Sequence, residues 1–216
     1  ALGVVEDKLK TVIERMIQGS NFTASAENMK NMAEELRGLK AGILSQANTK
    51  NVDGTFVFGG GSRTSAFTAD VSGVVSYSGG MDELSVDADS EQYSISTVGS
   101  DVFNSNGNLF ARLDEVITAL DNADRGAVSA RLDLVQESLE SVTLSRTKVG
   151  ISMQRAEKQV ELLTDGQVRM KLEKGALVDN DMAQDISRLN QVQSQVEASY
   201  LAISKLDGLS LFNYVR

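Results

Sequence analysis

The chain has 216 residues, a formal net charge of −9, 41% apolar but only 5% aromatic residues, and no Cys, His, Pro or Trp. This composition excludes disulfides, thiolate or imidazole chemistry and the common zinc sites, and the charge repels a nucleic-acid backbone or an anionic membrane surface. No run approaches 18 consecutive apolar residues, so no membrane-spanning helix is expected, and the first residues lack a signal-peptide pattern.

The pattern is already helical at Ala1, so the chain reads as trimmed from a longer one. Leu2, Val5, Leu9, Val12 and Met16 recur at steps of three and four, a narrow seam on one helix face. "GSNFT" (19–23) interrupts it, and Thr23 or Ser25 can cap a second helix. That helix carries Met29, Met32, Leu36, Leu39 and Ile43 and runs to about Ala47.

"ANTKNVDGTFVFGGGS" (47–62) follows. Asn51–Gly54 has turn chemistry, and Phe56 and Phe58 share one side of an expected strand. Gly59, Gly60 and Gly61 lack the Lys and the spacing of a phosphate loop and are expected to be a flexible joint. From there to about Asp101, Gly, Ser, Thr and Asp dominate. Short alternating runs at Val71–Tyr77, Leu84/Val86/Ala88 and Tyr93/Ile95/Thr97 predict a small antiparallel β unit. "DADSE" (87–91) has oxygen ligands without EF-hand spacing and reads as a solvated acidic turn.

Helix returns near Asn108, with Leu109, Leu113, Val116, Ile117 and Leu120, and breaks at "DNADRG" (121–126). The longest stripe then begins at Val128. It runs through Leu132, Val135, Leu139, Val142, Arg146, Val149, Met153, Ala156, Val160, Leu163, Gln167 and Met170. Eleven of these thirteen stations are apolar, where average patterning gives about five. At 1.5 Å per residue the stripe spans roughly 60 Å. It is expected to pack on helices 1–18 and 25–47.

The register slips at "VDNDM" (178–182), where Asp179 or Asn180 can cap a last helix. Its stripe is Met182, Ile186, Leu189, Val196, Tyr200 and Ile203, with Gln193 the polar station. The ending "LSLFNYVR" adds Leu209, Leu211, Phe212 and Tyr214. A 3–4 stripe is ordinarily the inner face of a bundle. This last one has no remaining helix of matching length in the chain, so intermolecular packing is expected. No pair of carboxylates has environments that would set their pKa values apart, and no enzyme activity, cofactor or metal is expected.

In order, "SQANTKNVDGTFVFGG", "VSYSGG", "GSDVF" and the closing "LSLFNYVR" resemble the flagellin-like hook-associated proteins of the bacterial hook–filament junction. The resemblance covers essentially the whole chain. "NDMAQDISRLNQVQSQVEASYLAISKLDGLSLFNY" (180–214) is similar to that family's C-terminal assembly segment. The family's N-terminal stretch, which pairs with that segment and carries the export signal, is not among these residues. Filament flagellin is the alternative. Flagellins resemble the same helical plan, but they typically have an Asn-Gly-x-x-Leu-Leu-x-Gly-like turn where this chain has "DGTFVFGG", and they end Leu-Ser-Leu-Leu-Arg. Phe56, Phe58, Phe212 and Tyr214 favour the junction family.

The fold class expected is α+β: an elongated antiparallel helical bundle, a coiled-coil-like rod, with an inserted small antiparallel β domain. Residues 1–58 and 102–180 form the rod, 59–101 the insert and 181–216 the assembly helix and tail. The expected assembly seam is Leu132, Val135, Leu139, Val142, Val149, Met153, Ile186, Leu189, Val196, Tyr200, Ile203, Leu209, Leu211, Phe212 and Tyr214. The resemblance implies a secreted protein of the extracellular flagellum, exported unfolded with the help of an export chaperone. It implies a homo-oligomer in a tubular assembly with other hook-associated and flagellin subunits, and no nucleic acid or membrane partner. The absence of Cys and Pro suits unfolded export, since no disulfide or prolyl isomer delays refolding. A different class, a surface adhesin or antigen, would use the insert, with Tyr77, Tyr93 and Arg63 as contact candidates.

Overall fold

The computed structural model describes residues 1–82, 85–88, 91–94, 97–178 and 182–208. These residues are α+β with helix predominant. The chain divides into two compact units, Ala1–Lys158 and Gln159–Arg216.

In the first unit, α1 (Leu2–Ser20) and α2 (Ala26–Ala47) form an antiparallel pair. Arg15 Nε donates to Glu35 Oε2 at 2.7 Å and Lys8 lies over Gly42, so contacting residues keep a constant sum. The whole expected seam of α1 is buried: Leu2, Val5, Leu9, Val12 and Met16. On α2, Met29, Leu36 and Ile43 are buried, and Met32 and Leu39 are half-buried. Ser25, not Thr23, caps α2, its Oγ accepting from Asn28 N at 3.1 Å. Helix α3 (Gly99–Phe103) is short; α4 (Leu109–Asp121) lies against α2, and α5 (Arg125–Ala130) lies against α1 and α4. Asn108 caps α4 through Oδ1 to Phe110 N (2.9 Å), while its Nδ2 donates to Val75 O (3.0 Å).

Two antiparallel hairpins lie between α2 and α3. Strand β1 (Phe67–Ala69) pairs with β2 (Val75–Tyr77), Phe67 opposite Tyr77 and Ala69 opposite Val75. Strand β3 (Ser85–Ala88) pairs with β4 (Glu91–Ser94). The single run expected at Val71–Tyr77 is therefore corrected. Residues 70–74 are a turn, because Asp70 Oδ1 accepts from Ser72 N and Val74 N and Gly73 takes φ +81°. Leu84, Asp89, Ser90 and Ile95 lie outside the described residues.

The stretch around Phe56 and Phe58 is not a strand but a chain of turns with single bridges, Lys50 to Phe56 and Gly59 to Val98. Phe58 is buried, Phe56 half-buried and Val57 turned out. Phe58 joins Phe67, Tyr77, Phe103 and Phe110 in a cluster whose ring centroids are 5.1–6.1 Å apart. This cluster accounts for α3, which the sequence reading did not anticipate: the helix places Val102 and Phe103 in the core. It also means that no break in packing occurs at Gly59. Ala66, Phe67 and Val75 of the first hairpin belong to the same core as the helices.

The flexible joint expected at Gly59–Gly61 is a tight crossing instead. Gly59 O accepts from Gly80 N at 2.8 Å, Phe58 O accepts from Gly99 N at 3.0 Å, and Tyr77 Oη donates to Gly80 O at 2.6 Å. Gly60 has φ +56°, and a Cβ there would collide with Gly80 O. These glycines let two backbones touch.

Helix α6 (Leu132–Val178) belongs to the first unit as far as Lys158, and α7 (Met182–Gly208) lies in the second. The stripe beginning at Val128 is interrupted at Arg131, between α5 and α6. Caps at Asp179 or Asn180 lie outside the described residues, and no described residue of the second unit is buried.

Candidate assembly surface

The heptad stripe of α6 changes character along its length. Val135 and Val142 are fully buried, Leu132 and Leu139 are half-buried against the same core, and Ser138 and Ser145 flank them. Arg112 closes this segment: Nη1 donates to Ser138 Oγ at 3.0 Å and also bonds Leu134 O at 2.5 Å. Leu132, Val135, Leu139 and Val142, part of the expected assembly and coiled-coil seam, are thus packed within their own chain.

The change comes at Arg146. Its Nη1 donates to Glu6 Oε2 at 2.8 Å, and Lys10 Nζ donates to Glu6 Oε1 at 2.7 Å. The Glu6 side chain is only 10% exposed, whereas that of Arg146 is 60% exposed. The hydrogen bonds from Lys10 and Arg146 hold the Glu6 carboxyl below its ordinary pKa, and the same bond raises that of Lys10.

Beyond Arg146 the stripe is open. Of the expected seam residues past this point, Val149, Met153, Ile186, Leu189, Val196, Tyr200 and Ile203 are exposed, from 41% at Val149 to 71% at Tyr200. The expectation that α6 packs on helices 1–18 and 25–47 as far as Met170 is corrected: packing stops at Ser145, and Val160, Leu163 and Met170 are also exposed. On α7, Val192 and Leu206 widen the apolar side. Such a width of apolar surface is unusual for a helix with no partner. Leu209, Leu211, Phe212 and Tyr214 lie outside the described residues.

The sequence reading missed the Glu6–Arg146 pair. Its signal was present: Arg146 is the one charged station of a stripe whose other stations are apolar except Gln167, and a charge at a seam needs a counter-charge. It also missed that Val52 and Val71 sit fully exposed at turn tips. Among the described residues no group of three or more acidic side chains is placed to hold a metal ion, and no helix is long and apolar enough to cross a membrane.

Residues 132–215 match the family described as the bacterial flagellin C-terminal helical region. That match starts at the first residue of α6 and takes in all of α7. The chain is 28% identical to flagellar hook-associated protein 3 of Escherichia coli (strain K12), in an alignment covering 98% of this chain and 74% of that protein. Among solved structures, flagellar hook-associated protein 3 from Legionella pneumophila has a TM-score of 0.75 at 14% identity, covering 83% of this chain and 90% of that one. FlgL of Xanthomonas campestris has a TM-score of 0.73 at 16% identity, covering 81% of this chain and 91% of that one. These structures establish a common fold, and the sequence likeness runs almost end to end. The chain is thus similar along almost its whole length to flagellar hook-associated protein 3, and carries the flagellin C-terminal helical region at residues 132–215.

Proposed function

We propose that this chain is a structural subunit of the bacterial flagellum that joins hook to filament and builds into a tubular wall with copies of itself. The observation that carries the reading is the uncovered apolar stripe of α6 past Arg146 and of α7. Each seam side chain fully buried on assembly contributes about 1.5–3 kcal/mol, so even a few supply a sizeable association energy. The net charge of −9 opposes premature association of free subunits. In this reading residues 1–58 and 102–180 form the wall, 59–101 face outward and 181–216 supply an inner helical layer. The subunit is secreted, with an export chaperone holding it beforehand, and it meets other hook-associated and flagellin subunits at its two ends. The whole-length likeness to hook-associated protein 3 favours the junction over the filament, although the C-terminal region alone is shared with flagellin.

Leu189→Asp tests it. Leu189 is exposed in the free chain, so the melting temperature is expected to hold within about 2 °C, as for surface substitutions generally. Attachment of filaments to hooks, scored by electron microscopy of the mutant cells, is expected to fail. Normal filaments on cells carrying Leu189→Asp would refute the role given to this stripe.

A further inference from the structure

The sequence contains a single Asn-Gly step, Asn106–Gly107, in the loop between α3 and α4. In such a step the glycine nitrogen, unshielded by a Cβ, can attack the neighbouring side-chain amide carbon and close a succinimide ring. The fold demands both residues. Gly107 takes φ +113°, and a Cβ on it would crowd the Arg112 guanidinium. Asn106 serves as a donor: its Nδ2 donates to Ser141 Oγ of α6 at 3.0 Å. Ser141 Oγ gives its own proton to Glu137 O at 3.0 Å, so a carboxylate at position 106 would leave this contact without a donor.

The folded loop opposes ring closure at both ends. The nucleophile is occupied, since Gly107 N–H donates to Asn104 O at 3.1 Å. The electrophile is held on another element, since the Asn106 amide is fastened to Ser141. Between them the Asn106 carbonyl accepts from Arg112 Nη2, while Arg112 Nη1 is fixed on Leu134 O and Ser138 Oγ. For the ring to form, the Asn106 side chain must leave α6 and swing over its own peptide, and Gly107 N–H must leave Asn104. Opening two hydrogen bonds of ordinary net strength slows the reaction by about tenfold or more. In the unfolded chain neither bond exists.

We propose that Asn106 is a modification site of the unfolded chain, deamidating through a succinimide with Gly107, and that the folded loop shuts the reaction off. Gly107 N gives up its proton and bonds to Asn106 Cγ; the Cγ–Nδ2 bond breaks, and the nitrogen leaves with that proton as ammonia. Water then opens the ring at either carbonyl. The product is aspartate at position 106, or the isomer whose main chain runs through the former side-chain carbon. Both lack the donor that Ser141 accepts from. Both place a negative charge near Glu137, whose carboxylate shares Arg112 Nη2 with the Asn106 carbonyl. The isomer also displaces that carbonyl. Arg112 ties down the first turns of α6, so a chain modified while unfolded refolds with this end of α6 less firmly held. The inference needs no assembly role and stands apart from the stripe of α6 and α7.

The purified protein would be incubated at mildly alkaline pH and body temperature, folded or in concentrated urea. Peptide mapping by mass spectrometry would follow the peptide that carries Asn106, with the two products separated by chromatography and the released ammonia assayed. Conversion in urea is expected to be about tenfold or more faster than in the folded protein. Ser141→Ala, an exposed change that frees the side-chain amide, should speed conversion of the folded protein about fivefold and leave the rate in urea unchanged. Ser141→Thr keeps the hydroxyl and should stay as slow as the parent. Equal rates folded and unfolded, or no conversion in urea, would overturn the proposal. A folded Ser141→Ala protein that reacts no faster than the parent would overturn the protection assigned to the α6 contact. As a second measure, Asn106→Asp reproduces one product and should lower the melting temperature, with the loss appearing in the parent only after incubation in urea and refolding. An unchanged melting temperature in both would overturn the consequence drawn for α6.

Discussion

Val142 and Val149 occupy the same heptad station one repeat apart on α6, and the structure assigns them opposite roles. Val142 is fully buried, whereas Val149 is 41% exposed. Replacing Val142 by Ala removes two methyl groups from a packed core and leaves a small cavity, costing roughly 2 kcal/mol. For a unit the size of Ala1–Lys158 each kcal/mol moves the melting temperature by about 2–4 °C, so a fall of about 4–8 °C is expected. Val149→Ala opens no enclosed cavity, and alanine's higher helix propensity returns a few tenths of a kcal/mol. Its melting temperature should stay within about 1–2 °C of the parent. Thermal and urea unfolding of the free chain followed by far-UV circular dichroism would measure both. In assembly the order reverses: sedimentation of polymer should show Val149→Ala raising the critical concentration severalfold, about what the lost burial of two methyls implies. Equal destabilisation of the free chain by both substitutions would show that the stripe stays covered past Arg146. That result would remove the boundary on which the assembly surface depends.

Two further outcomes follow from the packing of the first unit. Gly60→Ala forces a Cβ against Gly80 O at a positive φ and should cost upwards of about 2 kcal/mol in urea unfolding. Gly54→Ala, also at positive φ but with open space around it, should cost about 1 kcal/mol, and equal costs would refute the tight crossing. The Glu6 carboxyl is depressed in the folded chain by its bonds from Lys10 and Arg146. Its contribution is therefore complete above the unfolded carboxylate pKa and is lost as pH falls through the lower folded value. Denaturant titrations across that acid range should show the parent losing stability more steeply than Glu6→Gln, and parallel acid limbs would refute the pairing.

Much of the fold was legible in the sequence because its helices are amphipathic at every level. The seams of α1 and α2, a cap at Thr23 or Ser25 and the break before α4 follow from periodicity and turn chemistry alone. The middle of the chain resisted for a definite reason. Its elements are three to five residues long, too short to express a period, and β1, β2 and α3 are held by long-range aromatic contacts among Phe58, Phe67, Tyr77 and Phe103. Gly59 and Gly60 illustrate the ambiguity. A glycine run permits either free pivoting or close backbone approach, and only the neighbour, Gly80, decides which. The same holds for the long stripe. Leu132, Val135, Leu139 and Val142 look in sequence like Val149 and Met153, and burial inside or outside the chain depends on where the opposing helix lies.

The Glu6–Arg146 pair shows how one stripe can serve two ends without confusion between them. A regular heptad is degenerate, because sliding one helix past another by seven residues restores the same apolar contacts. The chain of α1 runs antiparallel to that of α5 and α6, since Arg125 bonds Ala24 O just past the end of α1 and Arg146 bonds Glu6 near its start. A slip of one heptad toward the end of α1 would set Arg146 level with half-buried Ile13 and strip Glu6 of one of its two cations. The Arg146 side chain is 60% exposed and can stay in water, so the penalty falls on the Glu6 carboxylate, only 10% exposed, which loses a partner it needs. The pair therefore acts chiefly against wrong registers, fixing how much of the stripe the chain keeps for its own core. By setting that length, it also sets how much remains from Val149 onward for a neighbour to cover.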